Sequence, residues 1–285
     1  MSLEQADQVV RKLWAEDVKV WETLWAPTFR RFAKDLLREA RICPGQIVLD
    51  VGTGTGVAAF EAARRTKPNG FVLGIDRLGS MLADAKATHD AERFKSVRFI
   101  LMDSQRLLFP DQMFDAVVSN CGISPVGFRQ AISEIFRVLR KGGVFAYDDW
   151  RLRDVPAHRI FSDILQQYRT ENPSTELRLQ RTALATLERF GNRDLNLDEQ
   201  VRQLRMIGFK KVELKNRSYR IALRDIQGYL NMRLKRATLK QELKELSARN
   251  RQEFLRVLKD ELRQFVHGKR FLFDWQVIFV RAERT

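Results

Sequence analysis

Residues 48–56 read Val48-Leu49-Asp50-Val51-Gly52-Thr53-Gly54-Thr55-Gly56. An apolar run at 46–51 leads into the glycines, and an alanine-rich run at 56–66 leaves them. That order predicts strand, tight loop and helix. Glycine lets the backbone turn through positive φ and lets a ligand approach the main chain. The first turn of a helix adds unpaired N–H groups. A glycine loop of this kind occurs in many nucleotide folds, so two details matter. The spacing is G-x-G-x-G, whereas dinucleotide folds use G-x-G-x-x-G and seat pyrophosphate at the helix start. In addition, Asp50 sits just before the loop, where it would repel pyrophosphate and favour a cationic ammonium group. Both details argue against a nicotinamide-dependent oxidoreductase.

Outward from the loop, strand and helix patterns alternate. Strands are expected at 71–76, 97–101, 114–119 and 144–148, and helices at 80–89 and 128–139, with a turn at Lys141-Gly142-Gly143. This alternation predicts βαβ units and an α/β fold: a Rossmann-like, mostly parallel, seven-stranded sheet with helices on both faces. Nearly all-apolar strands fit a sheet covered on both sides. Before it, residues 3–40 read as helix, with Pro27 starting or bending a second one. After it come helices at 157–168, 175–190, 198–206 and 224–234. Residues 239–266 then read as one long charged helix. Strands are expected at 210–215, 217–223 and 271–282. The domain organisation expected is an N-terminal helical segment (1–44), a ligand-binding core (45–150), a helical cap insertion (151–270) and a returning strand (271–285), all in one structural domain.

Acidic residues recur at predicted strand ends. Asp76 ends the second strand about twenty residues past the loop, where a carboxylate can accept two ribose hydroxyls. Asp103 and Ser104 follow the third strand, and Met81 could pack on a flat base. An Asp at a strand end is commonly just a turn or cap. Three on successive strands, at the edge where open α/β sheets bind ligands, point to one site.

The segment from Gln46 to Asp149, a little over a third of the chain, resembles the class I S-adenosylmethionine-dependent methyltransferases. It is most similar to the type-11 group that includes the ubiquinone/menaquinone C-methyltransferases. The matching pieces are VLDVGTGTG (48–56), GID (74–76), SMLADAK (80–86), MDSQRLLFPDQMFDAVVSN (102–120) and EIFRVLRKGGVFAYDD (134–149). The resemblance implies S-adenosyl-L-methionine as cofactor. It implies contacts from Gly52, Gly54, Gly56, Asp76, Met81, Asp103 and Ser104, with Asn120 facing the methionine end. Asp50, Thr53 and Arg77 adjoin these positions and join the expected cofactor set. Helices flanking the core are expected to cover the substrate.

Methyl transfer from a sulfonium is an in-line displacement, so positioning is the main task. A general base is needed only for a weakly acidic acceptor. The candidates are Asp149, at the end of the fifth strand beside Asp148 and Trp150, and His158; His89 and His267 are weaker. For each, a structural or solvent role is the plainer reading. Trp14, Trp21 and Trp25 either line a pocket for a planar acceptor or fasten the N-terminal helices.

The chain carries a formal net charge of +15 over 285 residues. Residues 202–270 hold about twenty Lys/Arg against seven Asp/Glu. Such a surface suits RNA or an anionic membrane, although a solvated basic helix face is the simpler reading. Two cysteines without partners at metal spacing argue against a disulfide framework or a metal site. With no spanning apolar run and no leader, a cytoplasmic enzyme is expected. The expected function is methyl transfer to carbon or oxygen of a small-molecule or lipid-like acceptor. An RNA methyltransferase and a non-catalytic S-adenosylmethionine-binding scaffold are the alternatives. Against the RNA reading, Asn120 is followed by Cys121-Gly122-Ile123 and not by the Pro-Pro-aromatic of amino-methylating enzymes. Cys121 also lacks the proline-cysteine setting of cytosine-5 enzymes. The acceptor, oligomeric state and pathway are not legible.

Overall fold

The computed structural model describes residues 1–92, 94–149 and 154–285, the side chains of 91, 92, 192 and 193 excepted. In chain order it contains α1 (Leu3–Glu16), α2 (Val18–Val20), a π-helical turn (Trp21–Trp25), α3 (Ala26–Glu39), β1 (Ile47–Val51), α4 (Val57–Thr66), β2 (Phe71–Asp76) and α5 (Gly79–Glu92). There follow β3 (Val97–Leu101), β4 (Phe114–Asn120), α6 (Phe128–Val138), β5 (Leu139–Asp149), α7 (Pro156–Tyr168) and α8 (Thr175–Arg189). After a second π-helical turn come α9 (Leu197–Ile207), β6 (Lys210–Leu223), α10 (Ile226–Leu234), α11 (Ala237–Glu245), α12 (Ala248–Leu262), β7 (Val266–His267) and β8 (Arg270–Glu283). The chain gathers into two compact units. The first comprises Met1–Trp25, Trp150–Thr186 and Asn216–Val277; the second comprises Ala26–Asp149, Leu187–Lys215 and Ile278–Thr285.

The second unit is built on the sheet, whose strand order is β3-β2-β1-β4-β5-β8-β6. β1 to β5 pair in parallel, and β8 returns antiparallel to β5. The order reverses between β1 and β4, so the loops leaving their carboxyl ends diverge and leave room there. Alternation along the strands sorts the core. Leu49, Val51, Leu73, Ile75, Val117, Phe145 and Tyr147 pack with Ile132 and Ile135 of α6 and Leu204 of α9. Helices α3 and α4 pack together and against the sheet strands. Their contact surface is Ala26, Ala33, Val57 and Ala58, small residues that let the helices approach closely. The α/β, mostly parallel architecture with helices on both faces is therefore as expected, with seven strands on the main path.

Five details differ from expectation. A two-residue eighth strand, β7, pairs only with β8. The long helix at 239–266 is two helices, because the Ser247 side chain accepts from the Asn250 N–H and starts α12 anew. Residues 210–223 form one strand, not two. The N-terminal helix stops at Asp17, whose carboxylate is taken by the Ala237 N–H and the Arg236 guanidinium; Pro27 lies in the first turn of α3, which follows directly on the π-helical turn. Finally, β5 begins at Leu139, and the expected turn survives as a register shift with Gly142 at φ +79.

In the first unit, α7 packs against α12, and α1 against α11. Trp25 donates its indole N–H to the Met232 carbonyl at 3.2 Å, tying the π-helical turn to α10.

In the second unit Arg284 closes the sheet. It donates to the carbonyls of Phe136, Arg137 and Leu139 at 2.6, 2.8 and 2.5 Å, and its guanidinium lies 4.7 Å from the Phe136 ring centre. These are the carbonyls that the end of α6 leaves without helical partners. Arg284→Met should lower the unfolding free energy by about 2 kcal/mol. Urea denaturation would read this as a lower midpoint at unchanged slope; an unchanged midpoint would refute the clamp.

Candidate functional site

The loop between β1 and α4 does what its glycines predict. Gly52, Gly54 and Gly56 adopt φ of +66, +55 and +87. A Cβ on Gly52 would lie 2.4 Å from the Gly122 carbonyl oxygen, so two backbones cross where no side chain fits. Gly54 has nothing within 4 Å of its would-be Cβ, and that side of the loop is open. Thr53 N–H donates to the Ile75 carbonyl at 2.9 Å, which pins the loop to β2.

Asp50 is fully buried, and one of its oxygens accepts from the Thr53 hydroxyl at 2.7 Å. The other, Oδ1, is buried with no partner. Burial pushes the Asp50 carboxyl up to about 7, with hydrogen bonding from the Thr53 hydroxyl and the Ala59 N–H at the start of α4 opposing and the charge of Asp76 adding to the rise. Asp76 accepts from the Gly54 N–H and the Leu78 N–H, both at 2.9 Å, and burial raises its pKa too. The Arg77 N–H is a third backbone donor to this carboxylate. Asp103 accepts from the Gln105 N–H at 2.9 Å and lies 3.7 Å from the Arg77 guanidinium. Ser104 is half-buried beside it, and Met81 is buried on α5. The loop carrying Asp103 and Ser104 is anchored further on: Leu107 N–H donates to Glu134 at 2.8 Å, and Arg137 donates to the Leu107 and Phe109 carbonyls.

On the other side of β1, Asn120 ends β4, and its Oδ1 is buried without a partner, as is the Thr55 hydroxyl. Cys121 has φ +54 and directs both its N–H (2.7 Å) and its thiol (3.0 Å) to Asp148 Oδ1. Asp148 Oδ2 is a further buried, unpartnered oxygen. Burial pushes Asp148 up to about 7, the Cys121 hydrogen bonds opposing and the charges of Asp149 and Asp50 adding to the rise. Asp149 is half-buried and pairs with Ile278 across the sheet.

The carboxyl ends of β1, β2, β4 and β5 thus gather Asp50, Gly52, Thr53, Gly54, Asp76 and Asn120, with Asp148 and Asp149. Gly56 caps α4 behind the loop. His158 lies in the first unit, buried on α7. His89 is on α5 beside Asp90, and His267 is exposed on β7. Trp150 lies outside the described residues. Sequence reasoning missed Gly122, Thr55 and the Cys121–Asp148 link. Only the Cys121-Gly122 pair just past a strand end hinted at the tight crossing.

Within this basic protein, Asp50 and Asp148 have no Lys or Arg partner among the described residues. Four buried polar oxygens without partners surround an open glycine loop. The donor set suits a cation with hydroxyl and amino groups, and not a polyphosphate.

Residues 42–188 match the family described as methyltransferase domain. The chain belongs to that family. Among curated relatives, it is 32% identical over 141 residues to the ubiquinone/menaquinone biosynthesis C-methyltransferase UbiE of Geobacter sulfurreducens, covering 49% of this chain and 54% of that protein. It is 36% identical over 114 residues to the arsenite methyltransferase of Halobacterium salinarum, covering 39% and 28%. The chain therefore spans little more than half of the first and under a third of the second. A solved structure of a methyltransferase-like protein from Bacillus halodurans shares the fold at a TM-score of 0.53 and 18% identity, covering 88% of this chain and 98% of that one. Part of the chain is thus similar to the ubiquinone/menaquinone C-methyltransferases, and its fold is that of the solved methyltransferase-like protein.

The two buried acids link stability to pH. Unfolded, each titrates near the ordinary value of about 4. Folded, each titrates at about 7. Their contribution is therefore lost as pH rises from about 4 to about 7, and is flat above that. His158, held neutral by burial, acts with the opposite sign below about 6.5, so a variant comparison is needed. Asp148→Asn should lose about 2–3 kcal/mol less than the wild-type chain between pH 5 and pH 8. Urea denaturation without ligand would measure this, and parallel pH profiles would show that Asp148 is ionised throughout.

Proposed function

We propose that this methyltransferase-family protein binds S-adenosyl-L-methionine at the β1–α4 loop. It moves the methyl group to carbon or oxygen of a small-molecule or lipid-like acceptor. The observation that carries the reading is the pair Asp50 and Asp148, buried, without basic partners, each with a free oxygen beside the glycine loop. Uncompensated buried acids call for a cation. The chemistry that S-adenosylmethionine supplies when bound is an electrophilic methyl on a sulfonium, together with an ammonium at the methionine end.

The residues divide the task as follows. Gly52, Gly54 and Gly56 hold the loop open, and Thr53 fixes it to β2. Asp50 and Asn120 take the ammonium end, directly or through water. Asp76 accepts from the ribose hydroxyls, while Asp103 and Ser104 accept from an amino-bearing base that packs on Met81. Arg77 orients Asp103. Asp149 is the candidate base or orienter for an acceptor that must lose a proton. In this reading residues 45–150 form the cofactor core, 1–44 and 151–270 supply acceptor contacts, and 271–285 close the sheet. The free thiols Cys43 and Cys121 fit the reducing cytoplasm as the place of work.

The relatives named above are, by their names, an arsenite methyltransferase and a C-methyltransferase of ubiquinone/menaquinone biosynthesis, which supports a small-molecule or lipid-like acceptor. Individual basic side chains pair locally, as in Arg202–Glu199, Lys215–Glu39, Arg220–Asp274 and Arg256–Glu253, while the net excess of +15 stays at hand for an anionic partner such as RNA or a membrane surface. Among the described residues no helix is long and apolar enough to cross a membrane.

S-adenosylhomocysteine, which keeps the ammonium, should bind Asp50→Asn at least about tenfold more weakly at pH 8. The gap should narrow toward pH 6, where Asp50 itself takes up a proton. Titration calorimetry at both pH values reads this, and equal affinities would remove Asp50 from the site. Radiolabelled methyl transfer into a host extract, counted in organic-soluble, nucleic-acid and protein pools, tests the acceptor. Label is expected in the organic pool; label confined to RNA would overturn the small-molecule reading.

A further inference from the structure

Inside the first unit, the later part of β6 runs beside the start of β8, and their outward side chains form rungs. The Gln276 amide donates to the Ser218 hydroxyl at 3.1 Å. The Arg220 guanidinium donates to both oxygens of Asp274, at 2.5 and 3.0 Å. As the number rises by two on β6 it falls by two on β8, which is antiparallel pairing. The next step brings Ala222 beside Leu272. The step after it, at the strand ends, brings Arg224 beside Arg270. Where Arg220 meets an acid, Arg224 therefore meets a second arginine. Like charges facing one another across strands oppose pairing.

These two arginines border an open cleft of about 720 Å³, lined by Ala222, Leu223, Arg224, Asp225, Lys269 and Arg270. Three of those side chains are cations and one is an acid. The acid is already engaged: Asp225 Oδ1 accepts from the Gly228 N–H at 2.7 Å as the cap of α10. Its other oxygen lies 3.8 Å from Arg224 Nε, beyond hydrogen-bond reach. The side chains of Lys269 and Arg270 form no ion pair or hydrogen bond among the described residues. The walls are held from beneath. Arg224 and Asp225 lead into α10, while Lys269 and Arg270 lead into Phe271. That ring is fully buried and stacks on Tyr229 of α10, with 4.8 Å between ring centres. The cations thus stand on backbones fixed to one another, and the cleft keeps two positive charges in excess.

We infer that the cleft between Arg224, Lys269 and Arg270 binds the phosphate of a phosphomonoester. A carboxylate matches one guanidinium fork and brings a single negative charge. A phosphodiester also brings one charge and has two free oxygens, which leaves a cation unmet. A phosphomonoester carries about 1.5 to 2 negative charges at neutral pH and three acceptor oxygens, enough for two guanidinium forks and an ammonium. The same group occurs on soluble metabolites and as the headgroup of phosphatidic acid, and the cleft's chemistry is common to both. The inference does not rest on the proposed methyl transfer.

Titration calorimetry of the full chain with glycerol 3-phosphate tests this, with dimethyl phosphate as the diester control. The monoester should bind about tenfold or more tightly than the diester. Arg224→Gln and Arg270→Gln should each weaken the monoester about tenfold or more. Without ligand, each variant should melt no lower than the wild-type chain, because two like charges no longer face each other. The double variant Arg249→Gln/Arg251→Gln, at exposed positions on α12, removes more charge than either and should weaken binding less than about twofold. Flotation separates the two sources of the group, using phosphatidylcholine vesicles that carry phosphatidic acid or a charge-matched amount of phosphatidylglycerol. Flotation on phosphatidic acid alone, lost in Arg270→Gln, makes the lipid headgroup the ligand. Binding of glycerol 3-phosphate without flotation makes it a soluble phosphomonoester. Both outcomes support the site. If the diester binds as well as the monoester, or the α12 variant loses as much as the cleft variants, general positive charge is at work and the site is refuted. Failure to bind both glycerol 3-phosphate and phosphatidic acid refutes it as well.

Discussion

The backbones of Gly52 and Gly122 pass so closely that a Cβ on either would fall 2.4–2.5 Å from backbone atoms of the other loop. That contact joins the loop after β1 to the loop after β4, the two strands between which the sheet order reverses. It requires glycine at both positions, with φ of +66 at Gly52. Asp50 lies fully buried just before the crossing, and Cys121 adopts a positive φ just beside it. From that backbone Cys121 reaches Asp148. The acids themselves are placed by the sheet, Asp50 on β1 between Gly74 and Val118 and Asp148 on β5 between Asn120 and Phe279, and the crossing supplies the donors that meet Asp148.

Those acids are an expense to the fold. A carboxyl at about 7 is stabilised as the neutral acid, and a free oxygen on each is left without a hydrogen bond. Folded proteins retain such features where binding compensates them. The rest of the second unit resists the strain through apolar packing: Leu49, Val51 and Val117 on the sheet, Ile132 and Ile135 on α6. At the far end of the strands Arg284 ties three carbonyls of α6 and β5 together. The site is thus built on rigid strands, with the loops carrying only the groups that must meet a ligand.

What could be read from the sequence follows the range of the interactions. The β1 strand, the glycine loop and the start of α4 lie within twenty residues, and local pattern suffices for them. The same holds for the parallel strands β2 to β4, whose apolar runs are short and uninterrupted. The break between α11 and α12 is local as well, but its signal is a single Ser247 cap inside a periodic charged run, and the period outweighed it. The Cys121–Asp148 contact spans 27 residues, and the Asp17–Arg236 pair spans 219. No spacing rule reports contacts of that length. His158 shows the converse. Its type marked it as a candidate base, whereas its burial and its aromatic neighbours depend on three other elements of the chain, the π-helical turn, α10 and β8.

Charge gives the same lesson about where to look. Most of the chain's excess of Lys and Arg is at the surface, where exposed pairs with Asp and Glu contribute little each and carry little information. The informative charges are the few left uncompensated. In the second unit these are carboxyls. A chain selected only for a stable fold would have replaced Asp50 and Asp148 with apolar residues of similar size, since buried charges without partners oppose folding. Their retention at the carboxyl ends of the strands, near a glycine loop with an open side, is what binding a cation there would require.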